Sequence, residues 1–247
     1  MTETAGFMER PDGQRLAWRR TAGSGPTVVW IGGWRSDMGG TKAEALATAA
    51  REGGWDYLRF DHFAHGASSG AFADATVGRW REDLLAVIDD LTQGPLVLVG
   101  SSLGGWLATL AAEARPERLH AVVLVCPAAD FPDALMWPRL EDHVREAILR
   151  DGAHEAEDFD GPYTLTRAFF DEARAWSLLD RSVAIAAPVR ILQGMRDLDV
   201  PWAHTMRLVE AIEGDDVMVK LVKDGDHRLA RPFDIFRLVR MVGAARG

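Results

Sequence analysis

LVLVGSSLGGW, residues 96–106, is the most informative stretch of this chain. Four apolar, strand-prone residues give way at once to Gly100-Ser101-Ser102-Leu103-Gly104, and an alanine-rich helical pattern follows over 103–114. The spacing predicts strand, sharp turn and helix, with a serine of a G-x-S-x-G at the apex. A turn that tight forces its central residue into a strained backbone conformation, and glycines two positions away on either side let strand and helix approach without Cβ clashes. Ser102 fits that register. Ser101 does not, because Val99 would then occupy the first glycine position.

Working outward, short β-rich runs alternate with longer amphipathic segments on both sides of the turn, the pattern of a mostly parallel central sheet flanked by helices. Upstream lie predicted strands at 7–9, 15–21, 27–31 and 57–60, with helices at 43–52 and 77–91. In the second helix Trp80, Leu84, Val87, Ile88 and Leu91 recur at three- and four-residue spacing. Downstream, strands are expected at 122–125, 189–192 and 217–222, and helices at 202–212 and 232–242. Residues 130–185 break this rhythm with two helical patterns separated by the acidic DGAHEAEDFDG, and read as a helical lid insertion in a single domain spanning 1–247. Its apolar residues between Phe131 and Trp176, among them Trp137, Phe159 and Phe170, supply either an acyl pocket or merely the packing of lid helices. Trp137 and Phe170 are taken as candidate substrate-binding residues.

A serine hydroxyl is a poor nucleophile and needs a base and a group to orient that base. Of seven histidines, His227 stands in the polar turn KDGDHRL just after the final apolar strand, where a sheet's carboxyl edge presents its loops. His62 and His65 also follow a strand but precede the serine, and are read as loop packing or hydrogen bonding near the site. His120, His143, His154 and His204 are expected to be solvated. The acid should follow a strand between Ser102 and His227. Asp197, directly after RILQG, is preferred, with Asp199 and Asp130 as rivals; Asp226 adjoins the histidine and should point away from it. A carboxylate at Asp197 would fix the imidazole tautomer and stabilise its protonated form. For the oxyanion, the backbone amides of Leu103 and Trp34 are the candidate donors. The alternative for Gly32-Gly33 is a plain turn, since no His-Gly pair stands there.

Composition bounds the partners. Lys+Arg 28 against Asp+Glu 37 gives a net charge of −9, which argues against nucleic acid. The single cysteine, Cys126, excludes an internal disulfide, is expected to be a buried inert thiol, and makes a structural metal site implausible. No apolar run approaches the ~18 residues of a membrane span, so stable membrane insertion is not expected. The first residues lack the apolar segment of a secretory signal and show no evident transit peptide, so a cytoplasmic address is expected.

The order of G-x-S-x-G turn, G-x-x-D-x-x-V-P segment and late histidine resembles the alpha/beta-hydrolase superfamily over nearly the whole chain. Several stretches are closer still to the mitochondrial palmitoyl-protein thioesterases of the alpha/beta-hydrolase-domain group and their bacterial relatives: GTKA at 40–43, RFD at 59–61, TVGRWR at 76–81, GSSLGGW at 100–106, Gly194-Met195 with Val200-Pro201-Trp202, and GDHR at 225–228. These cover roughly residues 27–127 and 188–229. The resemblance implies an alpha/beta-hydrolase fold and a triad of Ser102, Asp197 and His227. It also implies cleavage of carboxylic esters or thioesters, including fatty acyl groups on protein cysteines and acyl glucuronides. Gly32 stands where most of the superfamily has histidine. The expected substrate is a small molecule or an acylated protein, attacked through an acyl-enzyme without metal or cofactor. Three alternatives share the scaffold: a carbon–carbon bond hydrolase, a peptidase of small substrates, and a ligand-binding receptor or scaffold, against which the complete triad argues. Acyl length, leaving group and oligomeric state are left open.

Overall fold

The computed structural model describes residues 2–158 and 161–247. The chain opens with strands β1 (Glu3–Glu9), β2 (Arg15–Thr21) and β3 (Ser24–Ile31), then helix α1 (Thr41–Gly53), β4 (Trp55–Phe60) and α2 (Val77–Leu91). The strand–turn–helix follows as β5 (Leu96–Ser101) and α3 (Leu103–Ala114), and β6 (Leu119–Val125) comes next. An excursion carries α4 (Asp142–Asp151), the strands β7 (Ala153–Asp158) and β8 (Gly161–Thr166), and α5 (Arg167–Ala173). The chain returns to the sheet with β9 (Val189–Gly194), α6 (Trp202–Ala211), β10 (Val217–Val222) and α7 (Pro232–Arg246).

Eight strands form one sheet in the order β1-β2-β4-β3-β5-β6-β9-β10. From β4 to β10 the pairings are parallel; β2 joins β4, and β1 joins β2, antiparallel. Strands buried on both faces explain the near-continuous apolar runs. On β5, Leu96 and Leu98 belong to one core while Val97 and Val99 belong to the other, as do Val122 and Leu124 against Val123 and Val125 on β6. The first core is closed by α2 and α3 through Trp80, Leu84 and Leu107. The second is closed by α1 and α7 through Leu46, Leu238 and Val242. Each such fully buried side chain contributes about 1.5–3 kcal/mol. Helix α2 starts where Thr76 accepts the Arg79 amide at 3.1 Å, a cap worth about 1 kcal/mol.

The order of strands places the site. Chain order runs outward from β3 to β4 and then crosses back to β5, so the loops after β3 and β5 diverge at the sheet's carboxyl edge and leave a crevice between them. The loops after β9 and β10 end on the same edge.

The excursion differs from the two helices expected over 130–185. Pro138 interrupts the first helical pattern: it has no N–H to donate and its ring clashes with the preceding turn. Short helical turns therefore fill Pro132–Met136 and Trp137–Arg139, and the regular helix α4 begins only at Asp142. The acidic stretch read as a separator forms β7, which pairs antiparallel with β8 from Ala153↔Thr166 to Asp158↔Gly161. Thr164 Oγ1 donates to Glu155 across the pair at 2.7 Å. Phe159 lies outside the described residues. No helix among the described residues is long and apolar enough to cross a membrane.

Candidate active site

Ser102 sits between β5 and α3 with φ 55° and ψ −121°. The glycines of the motif are required by contact. A Cβ on Gly100 would lie 2.1 Å from the Gly104 carbonyl oxygen, and one on Gly104 would lie 2.1 Å from the Ile31 carbonyl oxygen. The strained serine is held by its own backbone: its amide donates to Val125 O at 2.9 Å, and its carbonyl accepts from Gly105 at 2.9 Å and Ala128 at 3.0 Å.

A chain of hydrogen bonds leads away from the hydroxyl. Ser102 Oγ lies 3.0 Å from His227 Nε2, and His227 Nδ1 lies 2.8 Å from Asp197 Oδ2. Asp197 reaches the imidazole from the loop after β9. Its Oδ1 accepts from the amides of Asp199 at 2.9 Å and Val200 at 2.7 Å, and its Oδ2 from Gln193 Nε2 at 3.3 Å. Burial by itself would raise the pKa of this carboxyl, but the His227 hydrogen bond and charge, with the Val200 amide, hold it below the usual carboxylate value. Asp197 is therefore ionised and aimed at the Nδ1 proton. The histidine loop is shaped by Asp226, whose Oδ1 accepts the Leu229 amide at 2.9 Å.

The rival acids stand elsewhere. Asp199 offers its amide to Asp197. Asp130, at φ 55°, ties the far end of the excursion: its carboxylate accepts from Ser177 Oγ at 2.6 Å and from the amides of Leu178 and Leu179 at 2.9 Å each. His204 is not solvated as expected; it is buried on α6, with Nε2 2.7 Å from Ala129 O. Cys126 is buried as expected, yet it adjoins the site, its thiol donating to Asp226 O at 4.0 Å. Its sulfur and the Asp197 and His227 ligand atoms lie within 4.8 Å of one another. Burial pushes this thiol far above its usual pKa, so it remains a protonated donor beside the carboxylate and suits a thiolate-bound metal poorly.

Leu103 opens α3, and its amide is one of the first four of that helix, which have no acceptor within it. The loop after β3 brings Gly33 against the serine: a Cβ there would lie 3.2 Å from Ser102 Cβ. Trp34 follows, its ring in edge contact with Phe72 at 4.8 Å and Phe131 at 5.4 Å. Ser102 and His227 open onto a cavity of about 860 Å³, whose lining joins Trp34, Phe131, Leu135 and Met136 to the cations Lys42 and Arg228. Trp137 and Phe170 are not in that lining. They pack on each other at 4.9 Å, and Phe170 is 2% exposed, so the structure gives them to the core that the excursion shares with α2 and α3. Their helical spacing does not distinguish the two roles. Arg35 and Lys42, which the sequence did not single out, do line the cavity.

A family model described as alpha/beta hydrolase fold matches residues 26–161. This chain belongs to the alpha/beta hydrolase family. It is similar to the mitochondrial palmitoyl-protein thioesterase ABHD10 of Rattus norvegicus, 36% identical over 239 residues that cover 96% of this chain and 80% of that protein. Among solved structures, a putative hydrolase from Agrobacterium vitis S4 superposes with a TM-score of 0.94 at 38% identity, covering 100% of both chains. Mouse alpha/beta hydrolase domain-containing protein 10 gives 0.90 at 35% identity, over 98% of this chain and 97% of that one. The expected fold and family resemblance are thus borne out. The cytoplasmic address is not: the curated relatives matching nearly the whole chain are named mitochondrial proteins, which points away from the cytoplasm. The sequence argument for it rested on the composition of the first residues and the lack of a long apolar run, and neither distinguishes one compartment from another.

Proposed function

We propose that this chain is a serine hydrolase that cleaves carboxylic thioesters and esters through an acyl-enzyme on Ser102, in the manner of an acyl-protein thioesterase. The observation that carries the reading is the unbroken path from Ser102 Oγ through His227 to the buried Asp197, opening onto a cavity one part of whose wall is apolar. The names of the thioesterase relatives support the substrate class. In this reading residues 1–247 act as one domain, and residues 130–185 form a lid whose Phe131, Leu135 and Met136 meet the acyl chain.

His227 Nε2 takes the Ser102 proton as Oγ attacks the acyl carbonyl, and Asp197 stabilises the imidazolium that forms. The amides of Trp34 and Leu103 receive the oxyanion, and the α3 N-terminus favours its charge. The imidazolium then protonates the departing sulfur or oxygen. Water, deprotonated by the same nitrogen, attacks the acyl-Ser102 ester; the C–O bond breaks, the imidazolium returns the proton to Ser102 Oγ, and the acid leaves. Both oxygen esters and thioesters fit, because the oxyanion donors address the carbonyl oxygen and not the leaving atom.

A fluorophosphonate probe should label Ser102, and Ser102→Ala should abolish labelling and lower kcat by roughly 10⁶. Label found on Ser101 or Cys126, with turnover intact in Ser102→Ala, would remove the basis of the proposal.

A further inference from the structure

The loop proposed to supply the second oxyanion donor is held from behind by two histidines that take no part in the hydrogen-bond chain of the triad. Both follow β4, and both are nearly fully buried, His62 at 1% and His65 at 4% exposure. His65 Nε2 lies 3.0 Å from the Arg35 amide nitrogen. A backbone amide can only donate, so Nε2 must be the unprotonated nitrogen of the ring. The proton then sits on Nδ1, which lies 3.0 Å from the Phe63 carbonyl oxygen and donates to it. One tautomer satisfies both contacts. His62 holds the other end of the loop with the opposite tautomer: its Nε2 lies 3.2 Å from the Gly32 carbonyl oxygen, which can only accept, and its buried Nδ1 has no partner among the described residues.

Gly32 and Arg35 bracket Gly33-Trp34. Inside that bracket the Gly33 carbonyl accepts from Ser36 Oγ at 2.8 Å and from the Ser36 amide at 3.2 Å. Arg35 itself has φ 53°, a left-handed conformation that a side-chain-bearing residue adopts only when its surroundings impose it. Two restraints act on it from opposite sides. Its amide is fixed by His65, and its guanidinium donates to the Gly161 and Pro162 carbonyls, at 3.1 and 3.3 Å, and covers the Tyr163 ring at 4.5 Å. The His65 ring is in turn wedged between Trp80 at 5.5 Å and Phe72 at 5.6 Å. The polar atoms of His65 therefore have fixed positions, and the amide they capture lies one residue beyond the amide proposed to face the oxyanion.

We propose that His65 is a positioning residue for the oxyanion-binding loop: by accepting the Arg35 amide it keeps the Gly33-Trp34 backbone where its N–H meets the tetrahedral intermediate. His62 does the same work at Gly32. The inference rests on the acyl-enzyme reading above and adds to it the pair of side chains that preorganise the hole in a chain where glycine occupies position 32.

The test compares His65→Gln with His65→Met. The two side chains are of similar length and lose the same aromatic packing, but only glutamine keeps an acceptor near the position of Nε2. Rates are normalised to sites titrated by the burst of a p-nitrophenyl acyl ester, so that unfolded protein does not count. His65→Met should lose roughly 10²-fold in kcat, the worth of one oxyanion donor, with KM within about threefold. His65→Gln should stay within about fivefold of wild type. An alkyl boronic acid, whose tetrahedral adduct places an oxygen in the hole, should bind His65→Met weaker by the same factor as kcat falls. A role confined to packing would lower both variants equally and leave boronate affinity per folded site unchanged; that outcome overturns the proposal, as does wild-type kcat in His65→Met. Ser102→Ala, run alongside, separates the two levels. If it is inactive while His65→Met is fully active, only the positioning role fails; if it is active, the acyl-enzyme reading fails first.

Discussion

His62 should make the fold acid-labile, and the size of the effect can be worked out. Burial, with a smaller contribution from the neighbouring His65, holds its pKa down from 6.5 to about 3, against the weak opposing pull of the Gly32 carbonyl. In the folded chain the ring is therefore neutral through the mildly acidic range, while in the unfolded chain it takes up a proton as the pH falls through 6.5. The unfolded state binds more protons, so stability present above pH 6.5 is lost as the pH drops toward 3 and levels off below it. At about pH 4.5 the unfolded histidine is two units below its pKa and the folded one is still neutral, which at about 1.36 kcal/mol per unit amounts to roughly 3 kcal/mol. That is a large part of the 5–15 kcal/mol typical of a domain. The perturbation is His62→Gln, which keeps an N–H for Gly32 O and removes the titration. Urea unfolding followed by the fluorescence of the nine tryptophans, at about pH 7.5 and about pH 4.5, gives the two free energies for each chain. Wild type should lose roughly 3 kcal/mol more than the variant over that interval. His65 and His204, whose pKa values burial also lowers, stay in both chains and cancel in the difference. An equal loss in wild type and variant would refute the reasoning.

The remaining predictions concern the site. Asp197→Asn should lower kcat on the order of 10⁴, because the amide does not hold the same imidazole tautomer. Asp130→Asn should leave kcat within about tenfold but cost about 1–3 kcal/mol of stability, since it disturbs the acceptor of Ser177, Leu178 and Leu179; kcat and thermal melts of both variants check this. Across acyl esters of increasing length with a common leaving group, kcat/KM should rise by up to ~0.8 kcal/mol per buried CH₂ and then level off. Phe131→Ala or Met136→Ala should move that plateau, whereas Trp137→Ala should lower the melting temperature and leave the length preference in place; a plateau that moves only with Trp137 would put the acyl chain on the other side of the excursion.

The sheet was legible because its strands are buried on both faces, so β3, β5 and β6 appear as unbroken apolar runs, and because G-x-S-x-G is a steric requirement written directly in residue types. Helix α2 was legible for a related reason: Trp80, Leu84, Val87 and Ile88 fall on one face and are all fully buried. The excursion was harder. Its strand β7 is short, half-exposed and charged, and β8 opens on Gly161-Pro162, so neither shows the apolar run or alternation that marked the central strands. Trp137 and Phe170 show the complementary problem. Helical spacing says that a side chain is covered, but not whether a substrate or a neighbouring ring covers it.

The site divides along the same line. Ser102, Asp197 and His227 could be chosen from the sequence because each must follow a strand and their order along the chain is restricted. His62 and His65 satisfy the first condition as well, and only their position before the serine set them aside. What sequence order cannot express is that β4 lies next to β3, so a loop following β4 is placed behind the loop following β3. With Gly32 in that loop, no side chain at position 32 can brace the backbone beside Ser102. The bracing comes from the neighbouring strand, through two buried imidazoles of opposite tautomer, and these stay neutral because burial keeps them from taking up a proton. The same burial that holds the proposed oxyanion loop makes the fold sensitive to acid, so the stability difference in His62→Gln and the kcat difference between the His65 variants are two readouts of one arrangement.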